Sequence, residues 1–352
     1  MLVSFRPSAR RSLIPLLALA LAGTAACGSS TSEHAAGVGG GAGGVVPTVA
    51  RTVPPGTTLR VGDQLDSLQL VLRTAGLANT TAYKQQYATF VGGPSMLQAF
   101  HAGALDLGFV ADTPLIIAQA AHQNVVGVAA WATRNDLQEP ITAPGVHITS
   151  WKQLKGKRVA YQQGTSLEAV LLTGLHSAGL SLHDIKSVNV PVTQVASVLE
   201  SHSADAGILV PPLDSPYLAK HTDAHVVDRP NDITLRVSFL VASSAALANP
   251  AKAAAIGEYV SRLVRAYKWI DAHRDVWVQK FYVQQYGLTT AQGEKLAAEA
   301  GGASFLQLPG PLLGPQKTLI GLYAAAGEIP GTLDAAQEFD SRYNATVREA
   351  AR

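Results

Sequence analysis

Two α/β lobes are the fold class that the 352-residue sequence predicts, and three observations predict it. Short apolar strands alternate with helices from residue 59, joined by short polar turns. The same alternation recurs, more weakly, from residue 156. Residues 250–351 then read as mainly helical. Strand–helix alternation with short connections argues for a mostly parallel sheet in each lobe.

The elements follow in order. Residues 59–62 form a strand, and 65–75 a helix with Gly76 as its stop. Residues 85–91 alternate as a second strand, which Gly92, Gly93 and Pro94 break before a helix over 95–102 that stops at Gly103. A third strand spans 105–110. Asp112, Thr113 and Pro114 then open a helix over 115–122, because a capping Asp or Thr followed by Pro is a helix-start signal. In the second lobe a strand over 156–161 leads through a polar turn at 162–166 into a helix over 167–178, closed by Gly179. Further strands are expected at 188–190 and 206–210. Residues 226–228 and 237–242 read as strands returning to the first lobe, and 256–272 as an amphipathic helix. Lobe 1 is thus expected over 58–143 and 238–352 and lobe 2 over 144–237, with crossings near 140–150 and 225–240.

Composition sets the remaining bounds. With 47% hydrophobic residues the chain can bury a substantial core. Cys27 is the single cysteine, so no intramolecular disulfide is possible and no thiol is left in the folded body for zinc or nucleophilic work. The formal charge is +2. Setting aside Arg6, Arg10 and Arg11 leaves 24 basic against 25 acidic residues, a balance that does not point to nucleic acid.

Those three arginines head an N-terminal segment whose apolar core, residues 13–22, is about half the roughly 20 residues a membrane span needs. Small residues then run into Cys27. A basic head, a short apolar core and a small-residue exit make a cleavable export signal over 1–26. The segment resembles a bacterial lipobox, which implies lipidation of Cys27, although Thr24 departs from the usual aliphatic residue. A secretory signal cut near Ala26 is the alternative. Residues 27–57, rich in Gly, Ser, Thr, Ala and Pro, then form the anchor point and a flexible tether.

The run over 93–120, with its loop, helix, glycine–aspartate strand and Thr113–Pro114 pair, resembles the sulfonate-, taurine- and nitrate-type solute-binding proteins of ABC importers. So do residues 151–160 and the segment from Asn249 and Pro250 to Trp269 and His273. The resemblance covers about residues 58–330 and implies a bilobal periplasmic-binding fold of type II with a ligand cleft. It implies an extracytoplasmic monomer that delivers a small, anionic solute to permease subunits, without cofactor, metal or catalysis. An enzyme or sensor on the same fold, akin to thiamine-pyrimidine synthesis, is the second reading, as is a binder of a thiamine precursor or an aromatic acid.

An anion held without a metal needs backbone N–H donors at helix starts and neutral hydroxyls beside them. Three strand-to-helix turns have that form, at 92–95, 111–114 and 163–166. The resemblance places ligand contacts there and in the turn after the first strand, which carries over to Gln64, Gly93, Pro94, Thr113, Thr165 and Ser166. Plain helix capping would use the same residues. Asp112 could orient a hydroxyl or an amine but would repel a dianion. Trp131 follows an apolar strand and is a candidate for stacking on the ligand, with core packing the alternative. The family's tryptophan–aspartate–proline–tyrosine turn reappears altered over 210–217. The tryptophan is missing, Ser215 intervenes, and Asp214 is the acidic candidate. His221 and His225 lack the glutamate of a zinc hydrolase motif and are read as turn residues.

Overall fold

The computed structural model describes residues 50, 52–79, 82–133, 138–228, 237–331 and 333–352. Cys27, the export signal and most of the tether lie outside the described residues. Packing begins earlier than the expected end of the tether at residue 57. Val53 is buried in the core, and Thr57 donates its hydroxyl hydrogen to the carbonyl of Pro54 at 2.6 Å.

The first lobe opens with β1 (Thr58–Gln64), α1 (Ser67–Thr74), β2 (Lys84–Phe90), α2 (Gly93–His101), β3 (Leu107–Ala111), α3 (Asp112–Ala120) and β4 (Val125–Ala132). The second lobe holds β5 (Glu139–Thr142), β6 (Arg158–Tyr161), α4 (Ser166–Ser177), β7 (Lys186–Asn189), α5 (Val195–Glu200), β8 (Ala206–Leu209) and α6 (Asp214–Lys220). The chain returns through β9 (Val237–Ser243), α7 (Ser244–Ala248), α8 (Pro250–Ala272) and α9 (Arg274–Trp277). A π-helix (Val278–Gln285), α10 (Thr290–Ala300), β10 (Ser304–Leu306), α11 (Leu313–Ala325) and α12 (Asn344–Ala351) complete it.

The strands form two sheets, in the orders β10-β4-β9-β3-β1-β2 and β5-β8-β6-β7. In the first, β1 is parallel to β2 and β3, while β9 lies antiparallel between β3 and β4. Strands β1 to β4 therefore all end on one edge, where β9 begins. In the second sheet, β6, β7 and β8 run in parallel and end where the antiparallel β5 begins. The crossing from Ala132 to Glu139 joins these two edges, so the carboxyl ends of both sheets face each other. In α/β proteins that is where ligands collect.

Two boundaries differ from the sequence reading. Strand β5 pairs with β8, so the chain has already left the first lobe before residue 139, upstream of the expected 140–150. Residues 226–228 do not return to the first lobe. Val226 bridges Ile141, Val227 donates its N–H to the Pro140 carbonyl at 2.8 Å, and Val227 is buried in the second lobe's core. The return therefore falls between Asp228 and Val237, over residues 229–236, all outside the described residues.

Each lobe has its own core. Helices α1, α8 and α12 cover one face of the first sheet, around Leu59, Leu72, Tyr259 and Leu263. Trp151, Leu171, Leu175 and Ile208 anchor the second lobe. A further cluster belongs to both. Ile116 of α3, Leu172 of α4 and Leu319, Ile320 and Tyr323 of α11 pack together, so the late helix α11 ties one lobe to the other. Among the described residues no helix is long and apolar enough to cross a membrane.

Candidate functional site

The facing edges divide into a packed half and an open half. The packed half holds most of the turns singled out from sequence. Gly93 and Pro94 form the first turn of α2, and a Cβ on Gly93 would lie 2.2 Å from Pro114 Cγ. Gly92, with φ of 81°, brings its backbone against the Gln162 side chain, and Gly164, with φ of 72°, does so against Pro94. The two lobes touch through these glycines because no side chain intervenes.

The hydroxyls in this half are engaged within the protein. Thr113 is completely buried, and its Oγ1 accepts from the phenol of Tyr323 at 3.1 Å. Its backbone N–H donates to Oδ1 of Asp112, the first residue of α3, at 2.7 Å. Thr165 is the N-cap of α4. Its hydroxyl donates to the Gln162 carbonyl at 2.6 Å and accepts from Leu167 N–H at 3.2 Å. Ser166 Oγ accepts from Gln138 Nε2 at 3.0 Å. Gln64 lies in the last position of β1, not in a turn, and its amide donates to the Phe109 carbonyl at 2.8 Å.

A buried carboxyl closes this seam. Glu168, 1% exposed, accepts from the Gly164 N–H at 2.9 Å, while its other oxygen has no hydrogen-bond partner of good geometry among the described residues. Burial pushes its pKa up to about 7, and the nearby Glu328 adds to the rise. The Tyr323 phenol lies beside it, so Glu168 of the second lobe and Thr113 of the first flank one tyrosine of α11.

The open half is a cavity of about 680 Å³. It is bounded by Phe109 and Trp131 of the first sheet and by Asp214 and Ser215 of the second lobe. The end of α8, the π-helix and α10 supply the remaining wall. Of the residues chosen from sequence, Trp131 and Asp214 line it; Gln64, Gly93, Pro94, Asp112, Thr113, Thr165 and Ser166 do not. Trp131 sits inside β4, not after it. It is 4% exposed and packs against Phe109, Tyr267 and Phe305 with ring centroids 5.6–6.0 Å apart. Asp214 opens α6. Its carboxylate accepts from Ser215 Oγ at 3.2 Å, burial raises its pKa, and Glu299 nearby raises it further.

Several wall residues escaped the sequence reading. Tyr267, Arg274, Trp277 and Phe281 come from the end of α8 and the two short helices after it. The stretch over 267–282 is dense in aromatic residues, which is a usable signal, but nothing in its spacing announces a π-helix. Trp277 and Phe281 stack there at 4.6 Å and an interplanar angle of 9°. Arg274 makes no hydrogen bond or ion pair among the described residues beyond its attraction to Asp271. The two histidines read as turn residues part company. His221 approaches Glu200 at 3.1 Å, and His225 stacks on His147 at 5.4 Å. Among the described residues no group of three or more His, Cys, Asp or Glu could hold a metal ion.

Three comparisons bear on this arrangement. The family profile described as "NMT1/THI5 like" matches residues 91–273. A putative aliphatic sulfonates-binding protein of Escherichia coli (strain K12) is 32% identical over 151 residues, covering 42% of this chain and 47% of its own length. The chain thus spans about half the length of the curated relatives it matches. Among solved structures, the alkanesulfonate-binding protein SsuA from Xanthomonas axonopodis pv. citri, bound to MOPS, aligns with a TM-score of 0.70. Its identity is 23%, and the alignment covers 81% of this chain and 99% of that one. The desulfurization enzyme DSZB aligns at 0.57 with 15% identity, over 83% of this chain and 99% of that one. At these identities the structures establish the fold: two α/β lobes of the periplasmic-binding type.

Proposed function

The chain belongs to the NMT1/THI5 like family, and on that premise we propose that it is the extracytoplasmic solute-binding component of an ABC importer. It is lipid-anchored through Cys27 and holds a small organic anion, such as an aliphatic sulfonate, between its lobes. The observation that carries this reading is the cavity between the two facing sheet edges. Its volume falls within the few hundred to about 1,000 Å³ of small-molecule sites, and aromatic residues from the first lobe face polar residues of the second. Arg274 supplies a cation on its wall, and the name of the Escherichia coli relative supports a sulfonate. The protein acts without catalysis in this reading, and no histidine or cysteine is among the cavity's described lining residues.

Calorimetric titration of the exported body with alkanesulfonates of increasing chain length tests the function. Saturable, reversible binding is expected, with the solute recovered chemically unchanged. Conversion of the solute would transfer the chain to the enzymatic branch of its fold, and absence of binding to any sulfonate would remove the sulfonate assignment. Cys27→Ser should move the body from the membrane to the soluble fraction after export. A variant that stays on the membrane would remove the lipid anchor.

A further inference from the structure

The first lobe has a second cavity, at the sheet edge remote from the second lobe. Strands β1, β3 and β4 begin at that edge, β9 ends there, and α8 starts beside it. The cavity holds about 470 Å³, within the range of small-molecule sites. Its charged lining is Arg60, Asp106 and Lys252, with the exposed imidazoles of His101 and His122 beside them.

Asp106 is buried, and its carboxylate is fully used inside the protein. Oδ2 accepts from the backbone N–H of Arg60 at 3.0 Å and from Arg60 Nε at 3.1 Å. Oδ1 accepts from Arg60 Nη2 and from Lys252 Nζ, both at 2.7 Å. These bonds exhaust the roughly four acceptor sites of a carboxylate, yet two cations share one anion. The second lobe shows that one cation is enough. There Arg158 holds Asp205 through the same three donors, its N–H, Nε and Nη2, at 2.8, 3.3 and 2.7 Å. Among the described residues no lysine bonds to that carboxylate. Lys252 is therefore surplus to the strand-start pair, and it leaves one unbalanced positive charge on the cavity wall. Arg60 also donates from Nη1 to the Gly103 carbonyl at 2.7 Å. A guanidinium has five donors and an ammonium three, so each cation keeps two N–H groups without a protein partner among the described residues.

We propose that this cavity binds a phosphate group, held by the spare N–H groups of Arg60 and Lys252 and flanked by His101 and His122. A tetrahedral dianion suits a guanidinium fork and an ammonium set side by side, and Ser244 and Asn249 border the same space as neutral donors. The chain enters the first lobe at this edge, at Thr58, so a membrane phospholipid headgroup is one source of the group and free phosphate the other. The proposal does not depend on the solute-binding reading.

Calorimetry with inorganic phosphate on the exported Cys27→Ser body, at constant ionic strength, should show saturable binding with a Kd of about 1 mM or below. Lys252→Met should weaken it about tenfold or more. That variant keeps its fold, because Arg60 alone can hold Asp106 as Arg158 holds Asp205. His122 has φ of 52°, a left-handed position that suits glycine. His122→Gly should therefore lower phosphate affinity severalfold with no loss of stability, and unchanged affinity there removes His122 from the site. Phosphate lodged beside Arg274 in the interlobe cavity would bind equally well after Lys252→Met. Vesicles separate the two sources. Sedimentation with phosphatidylglycerol vesicles that Lys252→Met abolishes assigns a headgroup, and phosphate binding without such sedimentation assigns the free anion. Binding of neither probe, or binding that Lys252→Met leaves unchanged, overturns the proposal.

Discussion

Thr113 and Asp214 both stand where a strand hands over to a helix at the interlobe edge, and they do opposite things. The Thr113 hydroxyl is buried and occupied by Tyr323, whereas the Asp214 carboxylate borders an open cavity and, among the described residues, is hydrogen-bonded within its own turn, by Ser215 and its own backbone. The turns of the packed half hold the lobes in register. Those of the open half leave polar groups with bonding capacity to spare, which a ligand can use. The same residue types serve both because a helix start favours short polar side chains without specifying which way their spare lone pairs point.

The sharpest way to break this comparison is to overfill the packed half. Gly93→Val places branched carbon where even a Cβ would lie 2.2 Å from Pro114 Cγ and 2.7 Å from Pro114 Cβ. Because the proline ring cannot swing aside, the backbone of α2 or α3 must move. We expect a loss of about 3 kcal/mol or more of stability. Asp214→Asn in the open half should change stability by less than about 0.5 kcal/mol. Chemical denaturation of the two variants decides, and similar losses in both would erase the distinction between the halves.

Much of the fold was legible in advance for a reason visible at single residues. Gly76, Gly103 and Gly179 were read as helix stops, and all three have φ between 66° and 71°, where a side chain is strained. The turns were legible too, since Asp112, Pro114 and Thr165 sit at helix starts. The direction of each hydroxyl was not. Thr113 turns toward Tyr323, 210 positions away in sequence, and no local pattern encodes that partner. The cavity's far wall was equally hidden. The three-residue β10 is held by Phe305 packing on Trp131 and Tyr267, and the π-helix by Val278 and Tyr282 packing with Leu288 and Ala297 of the α10 region, and neither by propensity.

Acidity gives a second handle on the packed half. Glu168 is shifted from an ordinary 4.5 to about 7, so the folded state holds a proton that the unfolded state releases earlier. The stability that this proton brings is complete below about pH 4.5 and is lost as pH rises through about 7. At 1.36 kcal/mol per unit the shift corresponds to a loss on the order of 3 kcal/mol. Glu168→Gln should therefore match wild type near pH 4.5 and exceed it by an amount of this order, or somewhat less, near pH 8. Glu338, also buried and raised to about 7, leaves part of the pH dependence in place. Denaturation curves at both pH values test this. A constant difference between variant and wild type would mean that Glu168 titrates normally.

The smallest expected effect probes the bond between Thr113 and Tyr323. Thr113→Val keeps the volume and removes the acceptor at 3.1 Å, which should cost about 0.5–1.5 kcal/mol. The cost should fall as pH rises. Above about pH 7 the ionised Glu168, lying beside the same phenol, becomes a stronger acceptor and can take over its hydrogen. Combining the variant with Glu168→Gln should remove that pH dependence, and the coupling between the two sites measures how far the tyrosine is shared. Solute affinity should be unchanged, because Thr113 does not line the cavity. The opposite result, a tenfold loss of affinity with stability intact, would place Thr113 in the ligand's first contacts and make the packed half part of the site.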